Sequence, residues 1–261
     1  LTGAIPGQPA GTEITYQIQV TDGAGRTTVL PHADLWHRFK IVSLSGELIA
    51  FTILNGEEAL SIIDTGDGRE VARIPVGGFP LQILAGPERQ VLYISSLDSD
   101  EITVVSAKSF QILERIAVAS QPLDMALSAD GQILYVTNSN AAAVTAIDLA
   151  TNTPRLLPLD RQGSGPFGVA SIDQTVYVAD LENDEVLALD PQGSIVARIP
   201  TPSPRSLAAS PDGTRLYATS IRTNRFSIID PVNNRVAKTL FLPVRGTFAL
   251  APSPDGRKVY I

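Results

Sequence analysis

An internal repeat of about 42 residues constrains this chain more than any other feature. The aromatic residue of one recurring strand occurs six times, at intervals of 42, 42, 42, 40 and 43 residues: Phe51, Tyr93, Tyr135, Tyr177, Tyr217 and Tyr260. Thirteen residues after each of the first five lies a second anchor: Asp64, Ser106, Asp148, Asp190 and Asp230. Two anchors that keep one phase through five units indicate tandem structural repeats, which bury their apolar faces against their neighbours.

Each repeat predicts four short β-strands. In the third unit these cover about 122–128, 132–138, 143–149 and 153–159. Asp130-Gly131 supplies the tight turn between the first two, and Asp212-Gly213 and Asp255-Gly256 repeat it. No stretch shows a helical period of 3.6 residues, and β-branched residues dominate the periodic segments. The sequence therefore predicts an all-β fold, a β-propeller of four-stranded blades with five full blades and a partial sixth.

The strand after the third turn reads Tyr135-Val136-Thr137-Asn138. Weaker copies begin at Tyr93, Tyr177 and Tyr217. Over about residues 36–261 the units resemble the YVTN-type β-propeller repeat. This resemblance supports the propeller architecture. It leaves the function open, because the family includes many surface proteins and a few enzymes.

The first 31 residues allow two interpretations, so we expect domain boundaries at 1–31 and 32–261. Thr15 to Gly25 resembles the last hairpin of a bacterial Ig-like domain of the cadherin-related type, which implies the tail of a β-sandwich. Alternatively, Asp22 lies 42 residues before Asp64, in phase with the strand-ending anchors. Strands over 15–22 and 26–30 would then complete the blade that 247–253 and 257–261 begin, which would remove exposed sheet edges. Because the chain begins without methionine and stops inside a predicted strand, we expect it to be part of a longer polypeptide.

Composition excludes several classes of function. The net charge of −7 argues against nucleic acid as a partner, since phosphate binding needs a basic patch. No apolar run approaches the roughly 18 residues of a membrane span, so no membrane insertion is expected in this segment. Cysteine is absent, and the only histidines, His32 and His37, precede the first full repeat. We therefore predict no catalytic residue, no metal site and no cofactor.

Acidic side chains recur at two places in the units. The loops between second and third strands contain Asp98, Asp100 and Glu101, and then the run from Glu182 to Glu185. Calcium binding is one interpretation of such oxygen-rich loops, but solvated turns explain them better, since their spacing matches no known calcium loop. The strand-ending aspartates precede turn-forming residues, which predicts that they accept backbone N–H bonds in Asx turns.

One position suggests a ligand site. Aligning the start of each innermost strand by repeat phase yields this ring: Phe39, Leu81, Leu123, Gly165, Arg205 and Phe248. Arg205 is its only cation, and Phe79 and Phe167 lie nearby on connecting loops. We predict Arg205, Phe79 and Phe167 as ligand-binding residues at the channel mouth, with Arg205 holding an anionic group. The alternative is a loop arginine that points into water.

The leading functional hypothesis is a non-enzymatic module, located outside the cell or on its surface. Such a propeller would bind an unknown protein or small ligand on one face, or serve as a structural spacer. The alternative is an enzyme, either a lactonase-like hydrolase or a subunit related to quinoprotein dehydrogenases, which the repeat also resembles. Fold alone does not decide between them.

Overall fold

The computed structural model describes residues 49–64, 68–87, 90–161, 163–243, 246–247 and 249–261 with their side chains, except that of Asn55. Before residue 49 it describes only the backbone of strands. Within these residues the chain forms β-strands and one short 3-10 turn, Asn55–Glu57. No helix of this described part is long and apolar enough to cross a membrane.

Five antiparallel sheets follow one another along the chain, and each contains four strands in sequential order. We call them blades one to five. Blade one comprises β4 (Arg38–Leu44), β5 (Glu47–Leu54), β6 (Ala59–Asp64) and β7 (Glu70–Pro75). Blade two comprises β8 (Pro80–Ala85), β9 (Val91–Ser96), β10 (Glu101–Ser106) and β11 (Ile112–Ala117). Blade three comprises β12 (Pro122–Leu127), β13 (Ile133–Asn138), β14 (Ala143–Asp148) and β15 (Thr153–Pro158).

The remaining blades continue the pattern. Blade four comprises β16 (Pro166–Ile172), β17 (Thr175–Asp180), β18 (Glu185–Leu189) and β19 (Ile195–Pro200). Blade five comprises β20 (Pro204–Ala209), β21 (Leu216–Ser220), β22 (Arg225–Asp230) and β23 (Arg235–Phe241). A two-stranded sheet follows, β24 (Ala251–Pro252) and β25 (Val259–Tyr260). The predicted β-propeller, with five full blades and a partial sixth, is confirmed.

The apolar core lies between consecutive blades rather than inside any one of them. Tyr93 and Val104 of blade two pack in one cluster with Met125 and Val136 of blade three. Tyr135 of blade three lies in the next cluster with side chains of blade four, and is only 3% exposed. The recurring aromatic position is therefore a packing position, because each blade covers the face of its neighbour.

Both predicted turn types form as expected. The Asp148 carboxylate accepts the backbone N–H groups of Ala150 (2.9 Å) and Thr151 (3.0 Å), which is an Asx turn. Asp190 and Asp230 bind their own turns in the same way. In the Asp-Gly turn of blade three the positive φ, 71°, belongs to Gly131. These recurring acids stabilise turns.

The ends of the chain differ from the predicted closure. β2 (Ile18–Thr21) and β3 (Thr27–Leu30) pair with each other in a sheet of their own, and β24 pairs with β25 in another. Among the described residues no strand ladder joins these two sheets. Instead β1 (Glu13–Thr15) pairs with β4, adding a fifth strand to the sheet of blade one. The predicted strand over 15–22 is divided between β1 and β2. Asp22, His32 and His37 lie outside the described residues, and the Ig-like interpretation stays a prediction.

Candidate functional site

The innermost strands of the blades all begin at one end of the channel, which we call the entry face. Blades two to five start these strands with prolines, each paired with the last residue of the following strand: Pro80, Pro122, Pro166 and Pro204. Consecutive innermost strands lie against each other, from β4 through β8, β12, β16 and β20 to β24. Since each innermost strand runs away from its proline, the Asp-Gly turns lie at the opposite face.

The residue after each proline forms what we call the entry ring, a set of half-exposed side chains: Leu81, Leu123, Phe167 and Arg205. This corrects the ring predicted from repeat phase, which placed Gly165 where the structure places Phe167. The connection that precedes β16 is longer, so Pro166 lies 44 residues after Pro122. Strand pairing shows the equivalence, because Pro166 pairs with Asp180 as Pro122 pairs with Asn138. The side chains of Phe39 and Phe248 lie outside the described residues.

Arg205 stacks on Phe167 within this ring. The guanidinium carbon lies 4.7 Å from the centre of the Phe167 ring. This distance is typical of a cation–π contact, which fixes the position of the cation. The structure therefore brings together two of the three residues that the sequence singled out, and their role in binding stays a prediction.

Phe79 occupies a different position from the other two. It precedes Pro80 and has a positive φ of 54°, as do the residues before two other strand-starting prolines, Gln121 (58°) and Ser203 (46°). Its carbonyl oxygen accepts a hydrogen bond from the Leu97 N–H at 3.0 Å. Phe79 thus lies in the connection that leads to the ring, two residues before the ring member of its own blade.

The innermost strands are linked in two different ways. The Gln82 amide oxygen of blade two accepts the Met125 N–H of blade three, and the Asp124 carboxylate of blade three accepts the Val169 N–H of blade four at 3.1 Å. The equivalent residue of blade four is Gly168. A Cβ atom there would lie 2.5 Å from the Arg205 carbonyl oxygen and 2.8 Å from the Leu207 nitrogen.

Gly168 therefore permits a close approach of two backbones beside the ring. Real Cβ atoms do not occur at such distances from backbone atoms. Strands β16 and β20 pack directly on each other, and this brings Arg205 within reach of Phe167. The sequence signal for this feature is a glycine inside a predicted strand, which often marks the close approach of another backbone.

The Tyr135-Val136-Thr137-Asn138 segment has a structural explanation at the same face. The Thr137 hydroxyl donates to the Phe167 carbonyl of blade four (2.6 Å) and accepts the Asp124 N–H of its own blade (3.0 Å). The Asn138 amide donates to the Ala119 carbonyl in the preceding connection at 2.5 Å. The polar half of the motif thus links blades and connections.

The acidic loops at the entry face also bind backbone groups. The Asp100 carboxylate accepts the Gln121 N–H at 2.9 Å, and the Asp184 carboxylate accepts the Ser203 N–H at 2.7 Å. Each bond holds the positive-φ residue that precedes a proline. In the part of the chain that the structure describes, no group of three or more His, Cys, Asp or Glu side chains is arranged to hold a metal ion.

An ion-pair network that sequence reasoning missed holds the long connection before β16. The Glu185 carboxylate is 6% exposed and binds both Arg161 (3.1 Å) and Arg198 (2.5 Å). Arg198 also binds Asp160, and this hydrogen bond lowers the pKa of that carboxyl. Residue type alone does not show the network, because its members are up to 38 residues apart.

A cleft of about 430 Å³ lies at the opposite face, lined by the Ser-Pro-Asp-Gly turns of blade five and the partial blade. Its acids already stabilise turns. Asp212 accepts hydrogen bonds from the Ser210 hydroxyl and the Thr214 N–H, and these bonds lower the pKa of Asp212 to about 2. We therefore do not assign the ligand site to this cleft.

Comparison with known proteins supports the fold. Residues 119–222 match the family described as SMP-30/Gluconolactonase/LRE-like region. A streptogramin B lyase structure superposes with a TM-score of 0.71 at 17% identity, covering 92% of this chain and 81% of that one. Virginiamycin B lyase from Staphylococcus aureus has a TM-score of 0.70 at 16% identity, covering 93% and 89%.

Hydrazine synthase from Kuenenia stuttgartiensis is 25% identical, with a TM-score of 0.61 over 69% of this chain. The chain spans about half of that protein, 54%. No curated protein sequence matches. The protein is a β-propeller, and its third to fifth blades include the region similar to the SMP-30/gluconolactonase family.

Proposed function

We propose that this protein is a non-enzymatic, ligand-binding β-propeller and that the entry ring is its binding site. The observation that carries the proposal is the stack of Arg205 on Phe167 at the mouth of the channel. Both side chains are half-exposed, as are Leu81 and Leu123 beside them. A concave apolar surface with one placed charge is the usual composition of a small-molecule site.

The chemistry of the ring favours binding over catalysis. Leucine, phenylalanine and arginine are poor candidates for a general base or a nucleophile at neutral pH. Nearby acids already have backbone partners, as Asp180 shows by accepting the Gly165 N–H at 3.0 Å. The YVTN-type and Ig-like resemblances support a location outside the cell or on its surface, which we include in the proposal.

Fluorescence titration with phenylnaphthylamine, a neutral apolar probe, tests whether the entry ring is a binding site. We expect saturable binding by the wild-type protein and a loss of affinity of about tenfold in Leu123→Gln, since apolar contact area is lost. Leu156→Gln makes the same change at an exposed leucine on β15, far from the ring, and should bind like wild type. Equal binding by all three proteins would contradict the proposal.

A lactonase-like hydrolase is the second candidate, because residues 119–222 match a family whose description includes gluconolactonase. Acid release from gluconolactone, followed in a pH-stat with calcium, magnesium, manganese or zinc added in turn, tests it. Hydrolysis above the uncatalysed rate that disappears in Arg205→Met would replace the binding proposal with the enzymatic one. The quinoprotein-dehydrogenase alternative stays a prediction.

A further inference from the structure

The entry ring combines three apolar side chains with one cation. Building on the proposed function, we propose that its ligand is an amphipathic organic anion, in which one carboxylate or sulfonate is attached to an aryl or alkyl group. The anionic group binds Arg205, and the apolar group covers Leu81, Leu123 and Phe167.

Arg205 is suited to hold the anionic end. A guanidinium stays charged at every physiological pH, and its N–H donors lie in the plane of the group. Stacking on Phe167 at 4.7 Å uses the face of that plane, whereas an oxyanion binds at its edge. The stack therefore orients the cation without blocking the side on which an anion binds.

The leucines and Phe167 account for the apolar part of the ligand. Their equivalents elsewhere in the innermost strands, such as Met125 and Val169, are buried between blades, whereas the ring members are half-exposed. Covering apolar surface of this kind contributes roughly 25 cal/mol for each Å² removed from water. A small inorganic anion would leave this surface in contact with water.

Other charges do not explain anion binding at this face. The net charge of −7 repels anions at long range, so selection of an anion requires a local cation. Arg222 lies in the neighbouring loop of blade five, but it pairs with Glu182 at 2.7 Å. Arg205 is the cation that belongs to the ring itself.

A matched pair of probes tests the ligand class. Anilinonaphthalene sulfonate carries an anionic group that phenylnaphthylamine lacks, and the two share the same apolar framework. We expect the wild-type protein to bind the sulfonate at least about tenfold more tightly, and Arg205→Met to remove this preference. Arg225→Met is the control, because Arg225 also stacks on an aromatic ring, Phe241 at 5.8 Å, but lies outside the entry ring.

Competition with inorganic phosphate and naphthalene sulfonate completes the experiment. Displacement of the fluorescent sulfonate by naphthalene sulfonate at concentrations where phosphate has no effect supports the amphipathic class. Equal displacement by phosphate would show a plain anion site and overturn the inference. If both fluorescent probes bind wild type equally through Leu123, the ligand class is wrong while the binding proposal stands. If neither probe binds at the ring, both are wrong.

A second measurement covers the case in which Arg205→Met does not fold. In the wild-type protein, raising the salt concentration should weaken binding of the anionic probe several-fold and leave the neutral probe unchanged, because salt screens the charge interaction. Identical salt dependence for the two probes would overturn the inference.

Discussion

The junction between blades two and three and the junction between blades four and five join equivalent strands by opposite means. At the first, the Gln82 side chain fills the space between the innermost strands and accepts the Met125 N–H. At the second, Gly168 leaves no side chain, and a backbone carbonyl occupies the place of its Cβ. The difference shows that a regular repeat contains one specialised sector, where two strands meet directly and their ring residues, Phe167 and Arg205, come into contact.

The hydroxyl links follow the same division. Thr137 bonds from blade three to the Phe167 carbonyl of blade four. The equivalent residue of blade four is Ala179, which has no hydroxyl to reach blade five. Side-chain hydrogen bonds thus join blades two to four, whereas close packing of backbone joins blade four to blade five.

The largest effect is expected for Gly168→Ala, which breaks the close-packed junction. Its Cβ would lie 2.5 Å from the Arg205 carbonyl oxygen, so the strands must separate. We expect the free energy of unfolding in urea to fall by about 3 kcal/mol, at the upper end of overpacking costs. Gly56→Ala is the control, because no atom lies within 4 Å of its added Cβ. Equal stability of the two variants would contradict the close approach.

A smaller loss is expected for Gln82→Leu, which breaks the side-chain junction. The substitution leaves the Met125 N–H without its acceptor in a buried position. Such a group costs about 2 kcal/mol, measured as the decrease in unfolding free energy. Gln111→Leu, at an exposed glutamine, should stay near wild type. An unchanged stability in Gln82→Leu would show that the amide does not join the blades.

Thr137→Val should have a smaller effect than Gln82→Leu, because it removes a single hydroxyl and keeps the shape. We expect a loss of about 1 kcal/mol, together with faster hydrogen exchange of the Asp124 amide that the hydroxyl accepts. Thr137→Ser keeps the hydroxyl and should retain slow exchange. If valine and serine variants exchange alike, the hydroxyl does not link the blades.

The smallest effect concerns the turn face, where the blades are alike rather than different. Hydrogen bonds from Ser210 and Thr214 lower the pKa of Asp212 from 3.8 to about 2. A lowered pKa means that the carboxylate stabilises the folded state above its unfolded pKa, and that this contribution disappears as the pH falls from about 4 toward 2. The difference in unfolding free energy between wild type and Asp212→Asn should therefore shrink across that interval.

Asp130→Asn tests whether the turn face is regular, since hydrogen bonds from Ser128 and Gln132 also lower the pKa of Asp130. Its stability difference from wild type should shrink in the same direction. A difference that grows as the pH falls would contradict the hydrogen-bonded turns.

Much of the fold and little of the site followed from residue patterns. The aromatic spacing predicted the blades, and the Asp-Gly and Asp anchors predicted turns that the structure contains. These features depend on hydrogen bonds across a few residues, so residue type and local order are enough to indicate them. For the site, Arg205 and Phe167 were named, but their stacking was not evident, and Phe167 was missed as a ring member.

The sequence by itself determined the repeat, the strands and the turns of this protein. Tertiary structure decided which residues face one another across blades, because contacts such as Thr137 with Phe167 join positions 30 residues apart. Counting by repeat phase assumes equal connections, and the longer connection before β16 violates that assumption, shifting the ring from Gly165 to Phe167. The close approach at Gly168 likewise depends on the packing of two whole sheets, which no local pattern specifies.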